Sequence, residues 1–188
     1  MIDDQRRPRP TLNGWRIAGW GAAAALLALP AIAMRVSDDV AWSSGDFIVA
    51  AALLLMLGLA VEGAVRLRKD RAMAAGTLLA GLAAFLTAWL NGAVGIIGNE
   101  GEPINLGFYA LLLAALFASI VAWFRPSVLK WIFAVVAAGQ IALGFAALSM
   151  MPGHAVEWGL LGVFAALWGA AAFLFGKADG TATATRGR

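Results

Sequence analysis

Six long apolar runs separated by short polar turns set the layout of the chain. They cover residues 15–34, 47–67, 72–97, 104–124, 128–150 and 156–176. A helix needs about 20 mostly apolar residues to cross about 30 Å of hydrocarbon, and each run meets that length. The interruptions read as turns: RLRKDR at 66–71, NEGEP at 99–103, Arg125-Pro126, and Pro152-Gly153. Proline removes a backbone donor and restricts the residue before it, so it ends helices. Asp46 stands where an N-cap for the second helix is expected, and Pro103 suits the first turn of the fourth. Pro30 is expected to kink the outer end of the first span, because its ring clashes with the preceding turn. The first run is longer than a typical signal-peptide core of about 7–15 residues, so it reads as a retained span.

Charge orients these spans. Lys and Arg concentrate on the cytoplasmic side of membrane proteins. With six spans and both termini in the cytoplasm, 13 of the 14 Lys and Arg residues fall inside, and only Arg35 falls outside. Asp38, Asp39, Asp46, Glu100, Glu102 and Glu157 fall outside, four acids fall inside, and Glu62 lies within a span. The inner face then carries +9 and the outer face −5, so the net +3 reports orientation. Trp15, Trp20, Trp123 and Trp131 lie near the inner interface and Trp42 and Trp158 near the outer one. A ring with one polar N–H is favoured at such depths. Trp89 and Trp168 are expected deep within spans three and six.

Composition agrees. The 188-residue chain is 62% hydrophobic and 13% charged, against about 45–50% apolar and about 25% charged in soluble domains. A soluble enzyme, a disordered chain and a nucleic-acid module are excluded on that basis. There is no cysteine, hence no disulfide, thiolate metal site or thiol catalysis. The predicted fold is all-α: a polytopic membrane protein of six transmembrane helices in three hairpins, N-in and C-in. Residues 1–14 form a cytoplasmic tail, 15–176 the membrane domain and 177–188 a second cytoplasmic tail.

Little hydrophobic force acts between helices in lipid, so close backbone approach matters. Gly76, Gly81, Gly92 and Gly95 in span three, Gly139 and Gly144 in span five, and Gly159, Gly162 and Gly169 in span six are expected at helix contacts. Each hairpin carries an acid before its descending helix (Asp46, Glu102, Glu157), a faint sign of repetition with no further match.

Intramembrane polar groups are the first place to look for function. Glu62 precedes Arg66 by four residues, the order that favours a helical ion pair; its other reading is a proton-linked or ion-pathway carboxylate. Gln140 lies mid-span in the fifth helix, Asn91 in the outer half of the third, and Thr87 one turn deeper. Amides at such depth usually bond across helices. The alternative is a cavity, shared with Trp89 and Trp168, for a small polar solute.

The outer loops carry Asp38, Asp39, Trp42, Asp46, Asn99, Glu100, Glu102, Asn105, His154 and Glu157. Oxygen-rich clusters hold Ca²⁺ or Mg²⁺, and His154 and Glu157 have the i,i+3 spacing of a Zn²⁺ pair on a helical turn. Against this, topology alone places acids outside, and Asp46 and Glu102 have capping roles. His154 is the single histidine, which removes bis-histidine haem ligation and multi-histidine zinc hydrolases. No lysine lies deep in a span to carry retinal. Ser149 precedes His154 by five residues without a nucleophile-elbow motif, and no phosphate-binding or dinucleotide motif is present. No cofactor is expected. The basic QRRPRP segment could touch anionic lipid and serves equally as a topology signal.

The stretches RVSDDVAWSSGDF at 35–47 and AVGIIGNEGEPINL at 93–106 resemble a group of small bacterial inner-membrane proteins without an assigned activity. That group shares an acidic-aromatic first outer loop and a V-G-I-I-G-x-E-x-x-P-x-N-L-like segment. The resemblance covers about the first two-thirds of the chain. It implies the bacterial inner membrane, no activity, and Asp38, Asp39, Trp42, Asp46, Glu100, Pro103 and Asn105 as outer-face residues of interest. The expected role is a non-enzymatic transporter or channel-like protein. The alternatives are an accessory subunit of a larger membrane complex and a membrane enzyme using the outer acidic/His site. The expected partners are the lipid bilayer and either further copies of the chain or a membrane complex, with no nucleic acid.

Overall fold

The computed structural model describes residues 14–152 and 155–186. It is all-helical: α1 Gly14–Val36, α2 Ser44–Arg66, α3 Arg71–Ala93, α4 Leu106–Val121, α5 Pro126–Met150 and α6 Trp158–Arg186. A 3-10 turn, Pro103–Asn105, leads directly into α4. All six helices, α4 together with its 3-10 turn, are long and apolar enough to cross a membrane. No strand occurs among the described residues. Pro30 lies inside α1, which continues to Val36.

Local chemistry sets the helix ends. Asp46 is not the N-cap of α2 but lies within its first turn. Its Oδ2 accepts from the Ser43 N–H (2.7 Å) and hydroxyl (2.8 Å), and Ser43 Oγ accepts from the Asp46 N–H (3.3 Å). This is a reciprocal capping box, which satisfies donors left open at a helix start. Asp70 caps α3 by accepting from the Met73 N–H at 3.0 Å. Pro126 opens α5, where its missing N–H costs nothing.

Span three is shorter than its apolar run. α3 stops at Ala93, and the chain turns through Gly95 (φ 77°) and Gly98 (φ 70°), a left-handed conformation open chiefly to glycine. Ile96 and Ile97 point into the core from this loop, not from a helix. At the far end, α6 continues past the expected limit at Gly176 to Arg186.

The chain divides into two compact units, one ending at Leu54 and one beginning at Leu55. In the first, α1 has no buried residue, and Trp42 packs edge-on to Phe47 with centroids 5.2 Å apart. In the second, α3, α4, α5 and α6 form a ring of antiparallel neighbours in which α6 packs on α3 and α5, and α4 on α3 and α5. The second half of α2 faces α3 where Ala60 meets Gly81 and Gly63 meets Thr77.

The buried positions of the ring follow steps of three and four. On α6 they are Leu161, Phe164, Trp168, Ala171, Phe175 and Ala178. On α5 they are Leu129, Phe133, Val136, Gln140, Gly144 and Ala147. A step averaging about 3.5 residues keeps one seam facing its neighbour, as in coiled coils and most bundles. Five of the expected glycine contacts are real: Gly76 against Phe175, Gly81 against Ala60, Gly92 against Tyr109, Gly139 against Leu111, and Gly144 against Leu161 and Trp158; Gly95 instead packs on the main chain of its own loop. Gly159, Gly162 and Gly169 instead face open space, because the seam of α6 runs along its large residues.

Charge segregates along the second unit. The ends joined by the 66–71 and 122–126 turns carry Arg66, Arg68, Lys69, Arg71, Arg125, Lys130 and Lys177. The opposite ends carry Glu100, Glu102 and Glu157 and no described lysine or arginine. At the basic end, Lys130 Nζ donates to Asp179 Oδ2 at 2.7 Å and ties α5 to α6.

Candidate functional site

The ring has two apolar cores. One contains Ala80, Ala83, Ala115, Leu129, Phe133, Val136, Trp168, Ala171 and Phe175. The other, toward the acidic end, contains Ile96, Ile97, Ile104, Phe108, Ala147, Leu161 and Phe164. Between them along the helices lie Thr87 and Gln140.

Register places these two at a common level. Tyr109 bonds to the carbonyl of Ala88, Gly107 and Gly139 pack on Leu143 and Leu111, and Gly76 packs on Phe175. Stepping along the antiparallel helices from these pairs brings Thr87, Ala110, Gln140 and Phe164 to one layer. Ala110 faces outward, and the other three are buried. Asn91 lies one turn toward the acidic end and Trp168 one turn toward the basic end. Gln140 and Trp168 are each ten residues from the acidic-side ends of their helices. At about 1.5 Å per residue that is about 15 Å, the middle of a hydrocarbon layer about 30 Å thick.

This layer is polar and under-satisfied. Gln140 is 0% exposed, and neither its Oε1 nor its Nε2 has a hydrogen-bond partner. Thr87 Oγ1, Asn91 Oδ1 and Trp168 Nε1 are likewise buried without partners. Trp168 is held by stacking on Phe133, with centroids 5.4 Å apart. An unpaired buried amide or hydroxyl costs about 1–3 kcal/mol in proteins. Such groups are normally bonded, and each exception calls for an explanation. The layer offers amide, hydroxyl and indole groups and carries no charge, so its chemistry suits an uncharged hydrogen-bonding guest.

Asn91 makes one bond across helices: its Nδ2 donates to the Asn105 carbonyl at 2.9 Å. Asn105, expected on the outer face, is instead 2% exposed. Its Oδ1 accepts from the Ile97 N–H (3.1 Å), and its Nδ2 donates to the carbonyls of Ile97 (3.0 Å) and Asn99 (2.7 Å). It is the staple of the α3–α4 loop. The loop folds back over the bundle end, and its backbone groups need internal partners there. Trp89, expected beside the layer, instead lies on an exposed face of α3, stacked on Phe85 at 5.9 Å, and does not line the layer.

The remaining candidates each have a local account. Glu62 is half-buried in the last turns of α2, one turn before the exposed Arg66. Asp38 and Asp39 sit in an exposed turn, where Asp39 accepts from the Ser37 hydroxyl at 3.3 Å. Asp46 is taken up by its capping box. Glu100 is exposed in a turn, and Glu102 accepts from Asn99 Nδ2 at 3.3 Å. Glu157 is exposed and precedes α6 in non-helical chain. His154 itself lies outside the described residues. Among the described residues, no group of three metal-capable side chains occurs.

No family model, curated protein or solved structure matches the chain.

Proposed function

We propose that this is a non-enzymatic, channel- or transporter-like protein that takes a small uncharged polar solute at the layer of Thr87, Asn91, Gln140 and Trp168. The observation that carries this reading is Gln140, an amide fully buried at mid-bundle with neither polar atom bonded. Polar groups inside a membrane are expensive and mark pathways or binding sites by default. Apolar cores lie on both sides of the layer, and on this reading they close it off from either face. The segregation of basic and acidic helix ends supports an orientation with both termini in the cytoplasm. With the resemblance of 35–47 and 93–106, it supports residence in a bacterial inner membrane.

The test is reconstitution into proteoliposomes with stopped-flow light scattering, using water, urea and glycerol as probes. Faster permeation of at least one probe over protein-free vesicles, lost in Gln140→Met, is the expected result. Equal permeation by wild type, variant and empty vesicles for all three overturns the proposal.

A second reading, accessory subunit of a membrane complex, has its own observation. α1 buries no residue, and Gly159, Gly162, Gly169, Gly176 and Gly180 of α6 meet nothing within 4 Å. Open small-residue faces suit helix association in lipid. Stoichiometric co-purification of a second polypeptide in mild detergent, with no permeation activity, is the outcome that selects this reading.

A further inference from the structure

A second feature lies far from the polar layer, at the basic end of the α5–α6 pair. It is a shallow groove of about 310 Å³ on the outer surface of the ring. Trp131, Ala134, Phe173 and Gly176 line it together with Lys130 and Lys177. The groove exists partly because Gly176 has no side chain, and a Cβ there would meet nothing within 4 Å. Trp131 is 66% exposed and Phe173 63%, an apolar cleft of the kind an acyl chain fills.

The two lysines differ. Lys130 is neutralised by Asp179 at 2.7 Å, and its ammonium also lies 5.8 Å from the Trp131 ring centre. Lys177 lies 4.8 Å above the ring of Phe173 and has no acidic partner among the described residues. The groove therefore carries one positive charge, that of Lys177, with no acidic partner among the described residues and seated against an apolar lining. Both lie at the basic end of the bundle, the depth of lipid headgroups.

The geometry points to a binding site for one anionic glycerophospholipid, its phosphate on Lys177 and the start of an acyl chain between Trp131 and Phe173. A phosphodiester with no amine in its headgroup carries one negative charge, which matches the one unpaired lysine. A zwitterionic lipid brings its own cation and gains little there. A second copy of the chain would set lysine against lysine across the same face. Basic pockets between spans are a recurrent mode of lipid headgroup recognition, and here the groove and the charge are independent observations on the same seven-residue patch.

The experiment is native mass spectrometry of the full chain released from mild detergent, titrated with dioleoyl phosphatidylglycerol or dioleoyl phosphatidylcholine. Wild type is expected to retain one phosphatidylglycerol in preference to phosphatidylcholine. Lys177→Gln is expected to weaken that adduct about fivefold, the worth of one lysine near an anionic leaflet. Gly176→Leu puts a side chain into the cleft from a position where an added Cβ meets nothing within 4 Å, and it is expected to weaken the same adduct without lowering the melting temperature. Equal retention of both lipids by wild type overturns the assignment. So does an adduct unaffected by either substitution, or a dimer lost in Gly176→Leu with no bound lipid.

Discussion

Replacing Gln140 by methionine removes an amide while keeping length and flexibility nearly constant. In the structure nothing is lost by this change, because neither amide atom has a partner and the side chain is fully buried. An unpaired buried amide costs about 1–3 kcal/mol. Gln140→Met is therefore expected to stabilise the empty protein by about 2 kcal/mol. For a chain of this size that is about 4–8 °C in melting temperature. The assay is thermal unfolding in mild detergent followed by tryptophan emission. Asn91→Leu is the control of opposite sign. Its Nδ2 donates to the Asn105 carbonyl, so its loss orphans a buried acceptor and is expected to cost about 1–3 kcal/mol. A melting temperature that falls in Gln140→Met would refute the reasoning, since it means the amide is bonded in the folded protein. A rise combined with lost permeation means the amide is kept at a cost to stability for what it binds, the trade-off common at functional sites.

Three further outcomes are expected. Asn105→Ala removes three side-chain bonds, two buried and one part-buried, that hold the α3–α4 loop; a loss of about 3 kcal/mol is expected, with faster hydrogen exchange at Ile97. Gly95→Ala forces a Cβ onto a backbone at φ 77° and into the Asn99 main chain; a loss of about 2 kcal/mol or more is expected in the same thermal assay. A double-mutant cycle of Lys130→Met and Asp179→Asn is expected to return a coupling of about 1 kcal/mol, because the pair is about 70% shielded and yet near the interface. A coupling of zero would show that the 2.7 Å contact is not maintained in solution.

The helices were legible because a long apolar run has few other meanings, and hydropathy located all six spans. Their ends were less so. Ile96 and Ile97 read as the last turn of a span, yet they belong to a folded-back loop. Hydropathy cannot separate an apolar residue in a helix from one tucked under it, and only Gly95 and Gly98 hinted at the turn. The core face was also hidden. A helix that is apolar all round gives no contrast between its lipid side and its protein side, so Gly159, Gly162 and Gly169 were placed at contacts they do not make. The polar layer was half legible. Asn91, Gln140 and Trp168 stood out as rare groups at depth, but their level depends on helix register. Asn105 was misplaced because a polar residue beside an acidic loop looks solvated, and nothing local shows that the loop needs a staple.

The seam of the ring explains why the polar layer can exist at all. Steps of three and four stack buried residues level by level on α3, α5 and α6, and away from the polar layer these are apolar or glycine, with Ser119 the one buried polar residue on α4. A single polar position in such a seam fixes register at a cost in stability, and this requires the polar groups to bond one another. Here Gln140 and Thr87 share a level on α5 and α3, opposite corners of the ring, and neither bonds the other. Register alone is therefore a poor account of Gln140. Apolar clusters above and below already fix the packing, and the glycine contacts at Gly76, Gly139 and Gly144 fix the spacing. The amide is thus surplus to the fold, and solute binding, as proposed above, is the reading that would account for its place.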